Sequence, residues 1–229
     1  IKSYKLINSK TKNFTKLNQA DWFGVGMCGI GDVNKDGISD IAVGNMKDDD
    51  GGTDRGAVFI IFMDSDGSVK GYNKISGSNS FSGKLKDGDL LGVSVSSLED
   101  FNKDGIPDII VGAESDDDYS TNSGAVYAVF LNTDGSSKKV IKISNSNGMN
   151  NFIANDSYFG IACSLTYDLD KNGIPDIIVG SHADSQNGFQ KGAIYFILLD
   201  SNFRCLSFQK VDSRYPQFSS ELLPGDRFG

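Results

Sequence analysis

Glutamate is almost missing from this chain. Of its 30 acidic residues only Glu99, Glu114 and Glu221 are Glu, and the rest are Asp. Glu favours helices, whereas Asp favours turns, caps and metal loops. Helical faces are therefore disfavoured, and an all-β protein with acidic loops is expected. Long hydrophobic runs are absent too: the 38% of residues that are hydrophobic nowhere form the stretch of about 20 that a membrane-spanning helix needs. Bases are in deficit, 22 against 30 acids, for a formal charge of -8. That disfavours a nucleic-acid backbone as partner, because phosphate binding needs clustered Lys and Arg. Histidine occurs once, as His182, and no Gly-x-Ser-x-Gly is present. Hydrolase chemistry has little to work with, so no catalytic residue is assigned and no enzyme activity is expected. Cys28, Cys163 and Cys205 are too few for a complete disulfide framework and read as small, buried apolar side chains.

What the chain does have is a repeat. Asp32, Asp100 and Asp168 are spaced by 68 and 68 residues, and the same pattern surrounds each. Phe23-Gly24, Leu91-Gly92 and Phe159-Gly160 precede it, and the runs Ile41 to Gly44, Ile109 to Gly112 and Ile177 to Gly180 follow. Residues 1–22 align without a gap on 69–90, and Phe228-Gly229 opens a further unit. The expected division is 1–22 as the outer strand and connection of a preceding unit, whole units at 23–90, 91–158 and 159–227, and the start of another at 228–229. Periodicity of this kind marks a repeat architecture.

Each unit reads as four strands. Gly92 to Ser96 alternates apolar and small polar residues, as a half-buried strand does. Ile109-Ile110-Val111 and Ala125 to Phe130 are continuously apolar and β-branched or aromatic, so both faces should be covered. Asp66-Gly67 and Asp134-Gly135 supply hairpin turns, and the fourth strands, Tyr72 to Ile75 and Val140 to Ile143, are more polar. Apolar middle strands beside a wet outer one describe a four-stranded antiparallel propeller blade, with about three and a third blades in this chain. Propellers close with about four to eight blades. The chain is accordingly expected to be part of a longer, processed polypeptide, or to pack against other chains.

The segment between the first two strands follows D-x-[DN]-x-[DN]-G-x-x-D. Oxygen side chains stand at positions 1, 3, 5 and 9, position 7 can offer its carbonyl, and Gly at position 6 permits a sharp turn. The candidate ligands are Asp32, Asn34, Asp36, Ile38 and Asp40 in the first loop. The second offers Asp100, Asn102, Asp104, Ile106 and Asp108, and the third Asp168, Asp170, Asn172, Ile174 and Asp176. Each loop carries three carboxylates, so three Ca2+ sites are expected; zinc is disfavoured because the loops hold no His or Cys. An EF-hand is excluded at position 12, where it needs an acid and these loops have Val43, Val111 and Val179 inside apolar strands.

With Phe-Gly (Leu-Gly once), the acidic loop, Val-Gly and then Gly-Ala-Val-Tyr or a near variant, the chain resembles the FG-GAP repeats of integrin alpha-subunit β-propellers over essentially its whole length. The resemblance implies a calcium-binding propeller, an extracellular or cell-surface setting, and adhesion or assembly through protein partners or other copies of the chain. A lectin-like, glycan-binding propeller and the non-catalytic module of a larger secreted enzyme are the alternatives. The GAP element departs from the family: Asn45-Met46, Ala113-Glu114 and Ser181-His182 follow Val-Gly without Pro.

Lesser features complete the reading. Asp48-Asp49-Asp50 with Asp54, and Asp116-Asp117-Asp118, read as solvated turns, although the resemblance would place ligand on that face. His182 reads as an exposed loop residue and Trp22 as core packing. Asn13-Phe14-Thr15 and Asn155-Asp156-Ser157 are glycosylation sequons in connections between blades.

Overall fold

A computed structural model describes residues 4–186, 189–217 and 221–229. Twelve strands run in chain order: β1 (Phe23–Gly31), β2 (Asp40–Asn45), β3 (Ala57–Met63), β4 (Val69–Ser76), β5 (Leu91–Glu99), β6 (Asp108–Ala113), β7 (Ala125–Leu131), β8 (Ser137–Ile143), β9 (Phe159–Leu165), β10 (Ile177–Ser181), β11 (Ala193–Leu199) and β12 (Cys205–Val211). They form three four-stranded antiparallel meanders, β1–β4, β5–β8 and β9–β12. The described residues contain no helix, and hence none long and apolar enough to cross a membrane.

The continuously apolar strands β6 and β7 are buried on both faces, whereas in β11 Ile194, Phe196 and Leu198 stay part-exposed on one face. In β7, Tyr127, Val129 and Leu131 share one core with Val58 and Ile60 of the first sheet. Val126, Ala128 and Phe130, pointing the other way, share another with Tyr195 and Ile197 of the third. Period-two geometry sends alternate side chains to opposite faces, so one strand contributes to two interfaces. Fully burying each large side chain is worth about 1.5–3 kcal/mol. A third core lies on the far side of the first sheet, where Phe59 and Ile61 meet Ile7, Phe14 and Leu17. Phe14 packs its ring on Phe23, Phe59 and Tyr72.

The outer strand expected at the start of the chain does not form over residues 4–8, which pair with no strand; residues 1–3 lie outside the described residues. A strand exists only where a neighbour completes its ladder, and this segment has side-chain contacts such as Lys5 with Asp66 instead.

Glycines set the distance between sheets. Leu91, Phe159 and Phe228 bridge in parallel to Gly56, Gly124 and Gly192 of the sheet before, with amide-to-carbonyl distances of 2.9, 3.0 and 2.9 Å to Arg55, Ser123 and Lys191. Beside each bridge the two signature glycines touch. A Cβ on Gly44 would lie 1.9 Å from the Gly92 oxygen, and one on Gly112 would lie 1.9 Å from the Gly160 oxygen. Phe-Gly and Val-Gly are thus the two halves of one inter-sheet contact.

Candidate metal centres

The three acidic loops join the first strand of each sheet to the second and share one hydrogen-bonded frame. Asp32 Oδ1 accepts the Asp36 amide at 3.0 Å and Oδ2 accepts the Gly37 amide at 2.7 Å. Asn34 Oδ1 shares the Asp36 amide, and Asp36 Oδ1 accepts that of Ile38. Asp100, Asn102, Asp104 and Ile106 repeat these bonds, as do Asp168, Asp170, Asn172 and Ile174. Position 4, which the sequence reading passed over, is Lys35, Lys103 and Lys171, each with a left-handed backbone (φ 61, 61 and 62°). That turn, followed by the glycine, reverses the chain; among the described residues it brings three carboxylates together only in the third loop.

Position 9 anchors the loop to the sheet. Asp40, Asp108 and Asp176 are fully buried at the start of the second strand. Their Oδ1 atoms accept the amides of Met63, Leu131 and Leu199 at the end of the third strand, at 3.1, 3.1 and 2.9 Å. The Oδ2 atoms of Asp40 and Asp176 also accept loop amides, from Val33 and Leu169. Asp108 Oδ2 is buried and has no partner. Burial pushes the Asp108 carboxyl up to about 7 and raises that of Asp40 as well.

Position 5 distinguishes the loops. Lys70 Nζ lies 2.7 Å from Asp36 Oδ2, and Lys138 Nζ lies 3.0 Å from Asp104 Oδ2. The Lys70 contact holds the Asp36 carboxyl below the usual range. At Asp104 burial works the other way, and Lys138 with the Ile106 amide outweighs it. In the third loop Asn172 takes this place and gives its Nδ2 to the Leu199 carbonyl at 2.9 Å. Oxygens of Asp168, Asp170 and Asp176 there lie within 4.8 Å of one another.

These residues fit a hard divalent cation. Every donor is oxygen, one buried carboxylate oxygen is orphaned, two loops hold a lysine ammonium against a carboxylate, and the third gathers three carboxylates. An unpartnered buried carboxylate is costly, and close like charges repel. A Ca2+ ion, which takes six to eight oxygens in irregular geometry, relieves both.

The opposite end of each sheet carries a second repeated constellation, and it corrects the reading of Asp48 and Asp116 as solvated, while Asp49 and Asp117 are exposed. Asp48 and Asp116 are buried, as is Asp184. Each meets a lysine from the fourth strand: Lys74 at 2.6 Å, Lys142 at 2.8 Å and Lys210 at 2.8 Å. Each lysine lies over an aromatic ring, Phe59, Tyr127 or Tyr195. Tyr127 and Tyr195 donate their hydroxyls to Asp116 and Asp184. Phe59 has no hydroxyl, and Asn45 Nδ2 reaches Asp48 Oδ2 at 2.7 Å in its stead. A buried polar acceptor must find a donor, and the first sheet finds it on a different strand.

Asp89 belongs to this end. It is buried, and its Oδ2 accepts the Lys86 amide at 2.7 Å. Burial pushes its carboxyl up to about 7, against the Lys86 amide and with the help of Asp116. The folded value exceeds the usual value of about 4, so its stabilising contribution is complete below pH ~4 and is lost as pH rises through 7. Asp89→Asn should therefore gain on the wild type by about 2–4 kcal/mol between pH 4.5 and 8. Urea unfolding across that range measures it, and parallel stability curves would contradict it.

Other expectations are corrected here. Trp22 is 55% exposed, and Lys47 lies over its ring; its left-handed backbone (φ 59°) is shared by Leu90 and Tyr158, which are half-buried. His182 is half-buried and stacks on Tyr158 at 5.4 Å; burial, then Arg227, lowers its pKa. The three cysteines are free and partly buried. Asn13 and Asn155 are exposed in connections.

The FG-GAP repeat profile matches residues 23–61 and 91–129, each running from a first strand into a third. The chain is 31% identical over 166 residues to integrin alpha-6 of Gallus gallus, covering 72% of this chain and 14% of that protein. It is 31% identical over 159 residues to integrin alpha-6 of Homo sapiens, covering 69% and 12%. Integrin alpha pat-2 of Caenorhabditis elegans is 29% identical over 171 residues, 68% of this chain and 13% of its own length. The chain thus spans about a seventh of the length of the curated relatives it matches.

Proposed function

The chain carries FG-GAP repeats of the integrin alpha type, and from that premise we propose that it is a calcium-stabilised, extracellular stretch of β-propeller serving adhesion or assembly through protein–protein contacts. The observation that carries the calcium reading is the thrice-repeated loop frame, with three carboxylates each time and a buried oxygen left over at Asp108. Asp32, Asn34, Asp36 and Asp40, with the Ile38 carbonyl, would hold one ion. Asp100, Asn102, Asp104 and Asp108 with Ile106 would hold a second, and Asp168, Asp170, Asn172 and Asp176 with Ile174 a third. The ion supplies positive charge and coordination and takes part in no reaction. The residues do the rest: position 9 ties the loop to the third strand, so an ion that fixes the loop also fixes the sheet. Similarity to integrin alpha chains supports the adhesive role and the cell-surface setting.

Extracellular calcium modules bind at about 10⁻⁴ to 10⁻³ M. Ligand at a hundredfold excess over Kd adds about 2.7 kcal/mol per site. In 5 mM calcium the melting temperature should exceed that in chelator by at least about 5 °C. Superimposable melting curves would reject the calcium reading. Adhesion is tested separately, by binding of the purified chain to extracellular-matrix proteins and to a glycan array; hits confined to glycans would overturn the protein-contact reading.

A further inference from the structure

The three loops do not offer a cation the same surroundings, and we propose that they fill in a fixed order, the third loop first and the other two only as Lys70 and Lys138 give way. This rests on the calcium reading and adds to it that two sites carry a tethered competitor.

Lys70 in β4 and Lys138 in β8 occupy the same place 68 residues apart. Each reaches from the outer strand to the position-5 carboxylate of its own blade. Their side chains are 52% and 55% exposed, while Asp36 and Asp104 are about a fifth exposed. Such a pair is weak, being solvated and screened, so the ammonium is held closely enough to compete and loosely enough to leave. The corresponding residue of the third blade is Leu206 in β12. No ion pair reaches the third loop among the described residues. Asn172 fills position 5 and turns to the Leu199 carbonyl, and the third carboxylate appears instead at Asp170. Both changes occur in the same blade: the lysine is missing where its carboxylate is missing. All three loops hold three carboxylates, but the first two have one already neutralised. Lys35, Lys103 and Lys171 at position 4 are common to all three, though Lys35 Nζ also reaches the second loop, 3.4 Å from where a Cβ on Gly105 would lie, and no ammonium comes so near Gly37 or Gly173.

A divalent ion feels twice the repulsion from a nearby ammonium that a monovalent one does. Exposure and salt reduce that effect, and the first two loops should bind roughly three- to tenfold more weakly than the third. Because the competing pairs are screened, the difference should shrink as salt rises.

The test is a calorimetric calcium titration of the full chain. The wild type should show one tighter and two weaker steps. Asp170→Ala should abolish the tighter one. Lys70→Met with Lys138→Met should tighten the weaker two by three- to tenfold while leaving the third unchanged; both lysines are exposed, so folding is not at risk. Three equal steps in the wild type, or loss of the tight step on Asp36→Ala rather than Asp170→Ala, would overturn the order while leaving the calcium reading intact. No heat and no melting shift with calcium in any variant would overturn that reading and this order together.

Discussion

Replacing Gly112 by Ala should lower stability by at least about 3 kcal/mol and the melting temperature by roughly 6–12 °C. The added Cβ would lie 1.9 Å from the Gly160 oxygen and 2.4 Å from Ser94 Oγ. The nearest atom is backbone, and it belongs to the first strand of the next sheet, so no rotamer change relieves the overlap. The sheets must separate, and the apolar core that β7 shares with both neighbours loosens with them. Gly29→Ala is the control. Gly29 is an exposed strand residue with nothing within 4 Å of an added Cβ, and Ala there should be neutral or slightly stabilising. Equal melting temperatures for the two variants would refute the close contact.

Lys210→Met should cost about 3–5 kcal/mol. Lys210 is 4% exposed and Asp184 is 1% exposed, and their charged atoms are 2.8 Å apart. Removing the lysine strands a carboxylate in the interior with only the Tyr195 hydroxyl and the Gln186 amide as donors. Met preserves much of the packing on Tyr195 and Phe152, so the loss reports the charge. Adding Asp184→Leu should recover a large part of it, because a buried pair replaced whole is often close to neutral. Denaturant unfolding of the two singles and the double decides the matter. A single variant within 1 kcal/mol of wild type would show that Asp184 is neutral or hydrated in the folded protein.

The repeat made much of this structure legible. Period-two and continuously apolar runs marked the strands because burial on one face or two leaves that trace, and the loop spacing marked the acidic turns because a tight turn with converging oxygens tolerates few residue types. The lysine–aspartate–aromatic constellation was overlooked although Asp48, Asp116 and Asp184, and Lys74, Lys142 and Lys210, repeat with the same period. Its Asp and Lys lie 26 residues apart, with the aromatic residue between them, and all three meet only when the fourth strand folds back beside the third. The exposure of Trp22 is not legible in hydropathy, since its half-buried equivalents Leu90 and Tyr158 are also large, apolar and left-handed. Residues 4–8 are in no strand, since alignment carries over a residue pattern and not the neighbouring strand that would complete a ladder. The exchange of Tyr for Phe59 with Asn for Ala or Ser at position 45 is visible in the text, yet only the shared acceptor on Asp48 explains it.

The glycine contacts between sheets have a geometric consequence. First strands approach closely: a Cβ on Gly26 would lie 3.0 Å from the backbone of Gly92 and Ser94, and the Ser94 hydroxyl donates to the Gly160 carbonyl at 2.7 Å. Third strands face one another through Val58, Ile60, Tyr127, Val129, Tyr195 and Ile197. Side-chain volume therefore rises from the first strand to the third, and each sheet is a wedge, thin along one edge and thick along the other. Wedges stacked in the same sense must fan. That gradient tilts neighbours in one sense, and loop contacts such as Arg55 with Asp87 and Asn122 with Asp156 hold them there, so methyl groups added on β3, β7 and β11 should change the curvature of the stack.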